Sequence, residues 1–439
     1  MAEKTPRMAV LELLLKVSDN AYSNLALDGL LTKTNYCKQD KAFISRLFYG
    51  VIERQVTLDY IINLYSSKPL QKLDKSVHLI LCMGIYQLLY MDSVPDNAAV
   101  NESINLIKQL KKASASGFVN AILRSFIRDN KKFSLPDNQS SKLSILYSCT
   151  EELAEKLICQ YGYERAENFL ASSLEPHKLY IRANNTKISA HELLNQLKNE
   201  KITAVISKYD SNCIETEAFG SVEENELYRK GYFHVQDLSS QLCCAALSPQ
   251  KGERILDICA APGGKTFTLA EITEDSCEII ACELHSKRVD LIRKGAERLQ
   301  LQSIKPLQND AKIYNPEFGK FDKILCDVPC SGFGVIRSKP EIKYTKLSDT
   351  ERLPQIQYEI LSTASKYLKV GGELVYSTCT VLKDENDMVI DRFLEENPSF
   401  KGEAFLKEKG KPFGSYKAVI FPEDLDCEGF FISKIKRIE

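Results

Sequence analysis

The sequence predicts a multidomain protein: an all-α N-terminal domain, a small α+β subdomain, and a C-terminal α/β domain on an open, mostly parallel sheet with helices on both faces. Three observations predict this. Residues 1–130 carry apolar positions at helical spacing throughout. A polar, turn-rich stretch, "DNKKFSLPDNQSSKLS" (129–144), interrupts that pattern. From about Gly252, apolar runs of strand length alternate with amphipathic helices to the C-terminus. A length of 439 residues has room for two to four domains, and 44% hydrophobic with 27% charged residues is the make-up of a globular chain.

The first domain (1–130) opens with "PRMAVLELLLKV" and continues with "KAFISRLFYGVIERQVTLDYIINLY", both with one apolar helical face. The longest apolar run, Leu79–Met91, is too short to cross a bilayer and contains Gln87, so it predicts a buried helix. "NAAVNESINLIKQLKK" follows Pro95-Asp96, a helix start, and its last turn is rich in lysine. Gly117 then precedes the short amphipathic helix "FVNAILRSFIR". Long helices with short joints predict a bundle. Residues 131–144 are expected to be a linker. Residues 145–235 mix helices ("EELAEKLICQYG", "SAHELLNQLKNE") with short strands ("KLYIRAN", "CIETEAF"), hence the small α+β subdomain. In the last domain (236–439) the strands are "RILDICA", "EIIACE", "IKPLQND", "FDKILCD", "ELVYSTC" and "GFFISKIK". The helices between them are "KTFTLAEI", "SKRVDLIRKGAERLQ", "RLPQIQYEILSTASKYL" and "ENDMVIDRFLEEN".

Composition narrows the function classes. The N-terminus lacks a charged region followed by an apolar core and a cleavage site, so no export signal is expected. Fourteen scattered cysteines in a long chain, several of them inside apolar runs, predict reduced thiols and a cytoplasmic location. Cys82, Cys243, Cys244 and Cys326 are expected to be packing thiols. There is no CxxC pair and there are only five histidines, so no metal is expected. The net charge is −1, yet residues 1–145 hold 19 Lys/Arg against 13 Asp/Glu, which leaves −7 for the remainder. A basic helical module beside a mildly acidic domain is compatible with RNA binding.

Ligands of open α/β sheets bind at the carboxyl ends of the strands, near a topological switch point. The first strand end reads "DICAAPGGKT" (257–266). It has the "GKT" of a phosphate-binding loop, but Cys259 stands where that loop needs glycine, and the spacing is not GxGxxG. Small residues, Ala260 and Ala261, then Pro262, Gly263 and Gly264, let backbone approach a ligand at a helix start. Glu283 ends the second strand, twenty residues beyond Gly263, where an acid can accept from a ribose diol. Asp310, after the third strand, can accept from an adenine amino group. An adenosine-containing ligand fits, and both NAD and S-adenosylmethionine contain that half.

The fourth and fifth strand ends bear on that choice. "DVPCSG" sets Asp327 and Cys330 beside the nucleoside site, and "STCT" adds a second thiol, Cys379. Hydride transfer has no evident use for these groups. Methyl transfer to C5 of a pyrimidine does: a thiolate adding at C6 makes C5 nucleophilic, and an acid at N3 and the amino group stabilises the charge that develops. Which thiol attacks is left open by the residues themselves.

With these motifs in place, the chain resembles the S-adenosylmethionine-dependent RNA cytosine-5 methyltransferases, nearest to their bacterial small-subunit (16S) rRNA branch, the RsmB/Sun/Fmu family. "LDICAAPGGKT" is similar to the family's cofactor loop, "CDVPCSG" to its base-contact motif, and "YSTCT" to its nucleophile motif. "YFHVQDLSSQL", "LYIRAN" and the closing "EGFFISKIKR" resemble further family segments. "YQLLYMDSVPDNAAVNESINLIK" and "GFVNAILR" resemble the helical RNA-binding domain related to the antitermination factor NusB. The resemblance covers nearly the whole chain.

It implies a NusB-like first domain and a Rossmann-like methyltransferase domain. It implies Cys379 as nucleophile, Cys330 in release of the covalent adduct, and Asp327 in contact with the base, with Lys265 nearby. It assigns Cys259, Ala260, Ala261, Pro262, Gly263, Gly264, Lys265, Glu283, Asp310 and Asp327 to S-adenosylmethionine. Glu283 stands where relatives commonly carry Asp; the longer acid still reaches a diol. The partner implied is small-subunit rRNA, with no membrane and no metal, and a monomer is expected. The same chemistry on tRNA is one alternative. A non-catalytic NusB-like RNA-binding factor is another, opposed by the intact motif set. A nucleotide-dependent oxidoreductase is a third, opposed by the missing GxGxxG.

Overall fold

The structure is a computed structural model that describes residues 4–18, 23–176, 178–217, 219–220, 222–405 and 415–439. It divides into two compact units, Met1–Leu174 with Lys343–Thr345, and Glu175–Ile342 with Lys346–Glu439. Among the described residues no helix is long and apolar enough to cross a membrane.

The first unit is all helical: α1 (Pro6–Ser18), α2 (Ser23–Leu31), α3 (Lys38–Glu53), α4 (Gln55–Tyr65), α5 (Lys75–Tyr90), α6 (Asp96–Gln109), α7 (Ser116–Arg128), α8 (Gln139–Tyr147), α9 (Glu151–Tyr161) and α10 (Tyr163–Ser172). Starts are set by side chains that accept orphan N–H groups: Asp74 accepts from Ser76 and Val77 at the head of α5, and Thr150 from Leu153 at the head of α9. Leu47 and Phe48 of α3, Ile61 and Ile62 of α4, Ile80 and Leu81 of α5, and Leu123 and Phe126 of α7 close into one core. The apolar run beginning at Leu79 is the central, buried α5, as its composition predicts.

Two stretches depart from simple periodicity. The stretch 41–65 is two helices, not one, because the chain leaves helical geometry at Arg54 (φ −109°, ψ 16°); no Gly or Pro marks the break. The linker expected over 131–144 runs into α8, whose first turn is capped by Asn138. Helices α8–α10 fall within the compact helical unit. Thr57 Oγ1 donates to the Ile145 carbonyl at 2.6 Å, and Ser148 Oγ accepts from Val56 N at 2.9 Å. The compact helical unit extends to Leu174.

The second unit starts with β1 (Leu179–Ala183), α11 (Ala190–Asn199), β2 (Ala204–Ile206), β3 (Cys213–Thr216), α12 (Glu226–Arg229) and β4 (Phe233–Val235). The strands form an antiparallel sheet in the order β2-β3-β1-β4. Ile181, Leu193, Leu197, Ile214 and Phe233 fill the space between this sheet and α11. α13 (Leu238–Leu247) leads into the large sheet, its head capped by Asp237.

The large sheet comprises β5 (Arg254–Asp257), β6 (Glu278–Glu283), β7 (Ile304–Gln308), β8 (Phe321–Asp327), β9 (Leu368–Thr378), β10 (Phe400–Gly402), β11 (Lys417–Ile420) and β12 (Phe430–Arg437). Between its strands run α14 (Gly264–Ile272), α15 (Ser286–Leu299), α16 (Leu353–Ser365), α17 (Asp387–Glu396) and α18 (Pro422–Leu425). The strand order is β10-β12-β9-β8-β5-β6-β7, with β11 also on β12. Strands β5 to β9 are parallel, and β12 runs antiparallel to β9. Side-chain alternation explains why both faces are covered. Ile255, Leu325 and Val375 point with Ile432 toward α13–α15, while Leu256, Ile324, Cys326 and Tyr376 point toward α16 and α17. The chain builds β5, β6 and β7 outward, then returns to place β8 on the other side of β5. That reversal opens a crevice at the carboxyl ends of β5 and β8.

Candidate active site

The crevice holds a cavity of about 430 Å³ lined by Cys259, Ala261, Glu283, Asp310, Asp327, Cys330 and Cys379, with Ile258, Leu284 and Ile360 among its apolar walls. Residues far apart in the chain meet because each sits just beyond a strand of the same parallel set. Of the residues expected at a cofactor, Cys259, Ala261, Glu283, Asp310 and Asp327 line the cavity. Ala260, Pro262, Gly263, Gly264 and Lys265 belong to the same loop but do not line it. Ala260 N is spent on the Cys282 carbonyl, at 2.8 Å, which ties the loop to β6. Gly263 has φ +115°, and a Cβ there would lie 2.4 Å from the Phe267 ring, so the turn into α14 needs glycine.

Under the loop, Asp257 is buried and accepts from Thr266 Oγ1 at 2.6 Å. Burial pushes its carboxyl up to about 7. Glu283 is nearly buried and accepts from His285 N at 3.0 Å and from Arg288 at 3.0 Å. Arg288 also donates to the Ala261 carbonyl at 2.8 Å, bridging the first two strand ends. Asp310 accepts from Lys312 N at 2.9 Å. Both sets leave side-chain oxygen lone pairs for a ligand.

Asp327 ends β8 and is held from two sides. Lys265 Nζ donates to its Oδ2 at 2.8 Å, and Ser377 Oγ donates to its Oδ1 at 2.7 Å. Burial works against the Lys265 charge, but Asp327 outweighs it, so the ammonium is held above its ordinary pKa. The Lys265 Nζ also lies 5.1 Å from the centre of the Phe430 ring.

Cys330 and Cys379 meet across the mouths of β8 and β9, Sγ to Sγ at 3.2 Å, both as free thiols. They do not titrate alike. The hydrogen bond from Cys330 lowers the Cys379 pKa despite burial, and Lys265 and Lys339 add to the effect. That same bond, with burial, raises Cys330 well above its ordinary value. With Cys330 as the donor, the pair favours thiolate at Cys379. Cys259 and Cys326 are raised far up by burial and stay protonated.

The backbone around the thiols is packed to contact. Gly334 N donates to the Cys379 carbonyl at 2.9 Å, and a Cβ on Gly334 would stand 2.0 Å from the Gly429 carbonyl oxygen. The final Gly of "CSGFG" is thus a close-approach residue. The Cys330 loop is further held by Glu385, which accepts from Ser331 N at 2.9 Å, from Ser331 Oγ, and from Gln357 Nε2 at 2.8 Å. Gln357 Nε2 donates as well to the Pro329 carbonyl at 3.0 Å. Glu385, Gln357, Arg288 and Ser377 were not among the expected site residues. Ser377 could have been found, since it stands two residues before Cys379 in "YSTCT". Glu385 and Gln357 carry no sequence signal, because a loop acid and a helical amide gain meaning only from what faces them.

Comparison with known proteins identifies the family and the fold. The family model described as 16S rRNA methyltransferase RsmB/F matches residues 244–436, the NusB family model matches residues 4–128, and the ferredoxin-like domain of RsmF/B-like methyltransferases matches residues 151–223. A probable ribosomal RNA small subunit methyltransferase B of Bacillus subtilis is 35% identical, with 100% of each chain covered. The similarly named protein of Synechocystis is 32% identical over 95% of this chain and 96% of its own. A ribosomal RNA small subunit methyltransferase B of Escherichia coli is 31% identical over 90% of each. Among solved structures, that titled PH0851 superposes over 100% of each chain with a TM-score of 0.82 at 23% identity. NSun6 from Pyrococcus horikoshii with SFG covers 67% of this chain and 100% of its own, with a TM-score of 0.62 at 24% identity. Both likenesses are of fold.

Proposed function

The chain belongs to the RsmB/F family of 16S rRNA methyltransferases, and we propose that it methylates C5 of a cytosine in small-subunit rRNA through a covalent bond from Cys379 to C6. The observation that carries this reading is the thiol pair at 3.2 Å beside the Asp327–Lys265 pair, at the end of an adenosine-sized cavity.

The residues of the cavity fit S-adenosylmethionine. Glu283 offers oxygen to a ribose diol, Asp310 to an adenine amino group, and Ile258, Leu284 and Ile360 give apolar walls to a base. Bound there, S-adenosylmethionine supplies an electrophilic methyl group. The remaining chemistry belongs to the chain. Cys379, kept as thiolate by the Cys330 S–H, adds to C6 of cytosine, and the ring electrons move to C5. Asp327 accepts from the cytosine amino group, and the Lys265 ammonium offsets the negative charge that builds in the ring. After the methyl group is on C5, a base such as a solvent water takes the C5 proton, the C–H electrons re-form the C5–C6 double bond, and the C6–S bond breaks to release the Cys379 sulfur. The Cys330 thiol then donates to that sulfur as the C6–S bond breaks. A leaving thiolate of lower pKa departs faster, so the same hydrogen bond serves attack and release.

A cytosine stacked in a duplex hides C5 and C6, so the target is a single-stranded or extruded base. The basic helical unit of NusB type would supply backbone contacts to the RNA. Bisulfite mapping of rRNA from cells with and without the protein tests the assignment. One small-subunit cytosine should lose its protection when the protein is absent. Unchanged small-subunit rRNA, or a change confined to tRNA, would reject it.

A further inference from the structure

In the helical unit, Asp59 of α4 faces His78 and Cys82 of α5, far along the chain from the thiol pair. His78 Nε2 lies 2.6 Å from Asp59 Oδ1, Cys82 Sγ lies 3.5 Å from His78 Nε2, and Cys82 Sγ lies 3.7 Å from Asp59 Oδ1. One oxygen, one imidazole nitrogen and one sulfur converge on a single point, all within 4.8 Å of one another. We propose that this trio binds a divalent zinc ion that staples α4 to α5.

The geometry is close to that of a tetrahedral site. With zinc bonds of about 2.0–2.1 Å to O and N and about 2.3 Å to S, tetrahedral angles set S···N and S···O separations near 3.5 Å and N···O near 3.3 Å. The two sulfur separations already match within about 0.2 Å of those values. Only the Asp59–His78 pair must open, which a rotation of either side chain provides. His78 and Cys82 stand four residues apart on one helix, the spacing that places two side chains on the same face. Cys82 is buried, while the His78 and Asp59 side chains are 20% and 27% exposed. The ion has a path in from solvent, and water completes the fourth position. Binding exchanges the Cys82 thiol proton, released to solvent, for the metal–sulfur bond. The mixed N, S and O donor set suits zinc rather than magnesium or calcium. Cys82, expected from the sequence to be a packing thiol, becomes a ligand only because the fold brings α4 beside α5.

Cobalt(II) added to the full-length chain, purified in chelator, reads the site directly. We expect a thiolate-to-cobalt absorption band in the unmodified chain and in the Cys330→Ala/Cys379→Ala double variant. It should be lost in Cys82→Ser and strongly reduced in His78→Gln. Zinc should raise the melting temperature of the unmodified chain and not that of His78→Gln. Absence of the band in the unmodified chain overturns the proposal, and so does its persistence in Cys82→Ser. If Cys82→Ser fails to fold, His78→Gln decides: an unaltered band there leaves Asp59–His78 as an ion pair and nothing more.

Discussion

A thiol with an ordinary pKa is only a few per cent thiolate at neutral pH, so what acts on Cys379 sets how well it can attack. The neighbour at hydrogen-bond distance is Cys330, 49 residues earlier in the chain, its Sγ 3.2 Å from that of Cys379. No motif or spacing announces that hydrogen bond. The two cysteines, the acid three residues before Cys330 and the order of their strands were all legible in "CDVPCSG" and "YSTCT"; the contact between the thiols was not. The pair makes a pH prediction. The hydrogen bond lowers the Cys379 pKa, so its thiolate persists to lower pH than that of a free thiol. In Cys330→Ala that support is gone. Burial then dominates and raises the thiol, so covalent adduct formation by Cys330→Ala should climb only at higher pH than in the unmodified protein, which reaches its plateau earlier. Rapid-quench measurement of adduct against pH checks this, and identical profiles would assign the lowered pKa to the lysines instead.

At the scale of elements, periodicity carried most of the sheet. β6 and β8 coincide with the expected "EIIACE" and "FDKILCD", because a parallel strand buried on both faces reads as an unbroken apolar run. β2 and β4 escaped, since three residues each leave no period to detect. The break between α3 and α4 escaped for want of a breaker residue. Also invisible was the buried network that ties β1 to α14. Arg182, 2% exposed, donates to Glu271 at 3.1 Å, to Asp210 at 3.0 Å and to Gln241 at 3.1 Å. α14 begins with the glycine turn and carries Lys265, so this network anchors one wall of the site. Arg182→Met should lower the stability of the catalytic unit by roughly 3–5 kcal/mol, because the buried Glu271 keeps only His234 Nε2, 3.4 Å away, and loses its permanent cation. Urea unfolding followed by a probe in that unit measures it. Arg182→Met with Glu271→Gln should recover part of the loss.

At the scale of the molecule, the order of parts was legible in the sequence. Helices α8–α10 have the same amphipathic signature whichever unit they join, and only packing such as Thr57 on Ile145 assigns them to the helical one. The uneven charge, 19 Lys/Arg against 13 Asp/Glu in residues 1–145, suits a module that meets RNA through phosphate. Affinity for small-subunit rRNA should then fall roughly tenfold or more between 50 and 200 mM salt; a flat salt dependence, measured by filter binding, would remove the helical unit from RNA capture. Covalent trapping reads the proposed division of labour between the two thiols. Each variant is incubated with small-subunit rRNA and S-adenosylmethionine, and the protein is run on a denaturing gel. Cys330→Ala should accumulate an RNA-linked band and Cys379→Ala should show none and no methylation. The reverse pattern would make Cys330 the nucleophile and contradict the account.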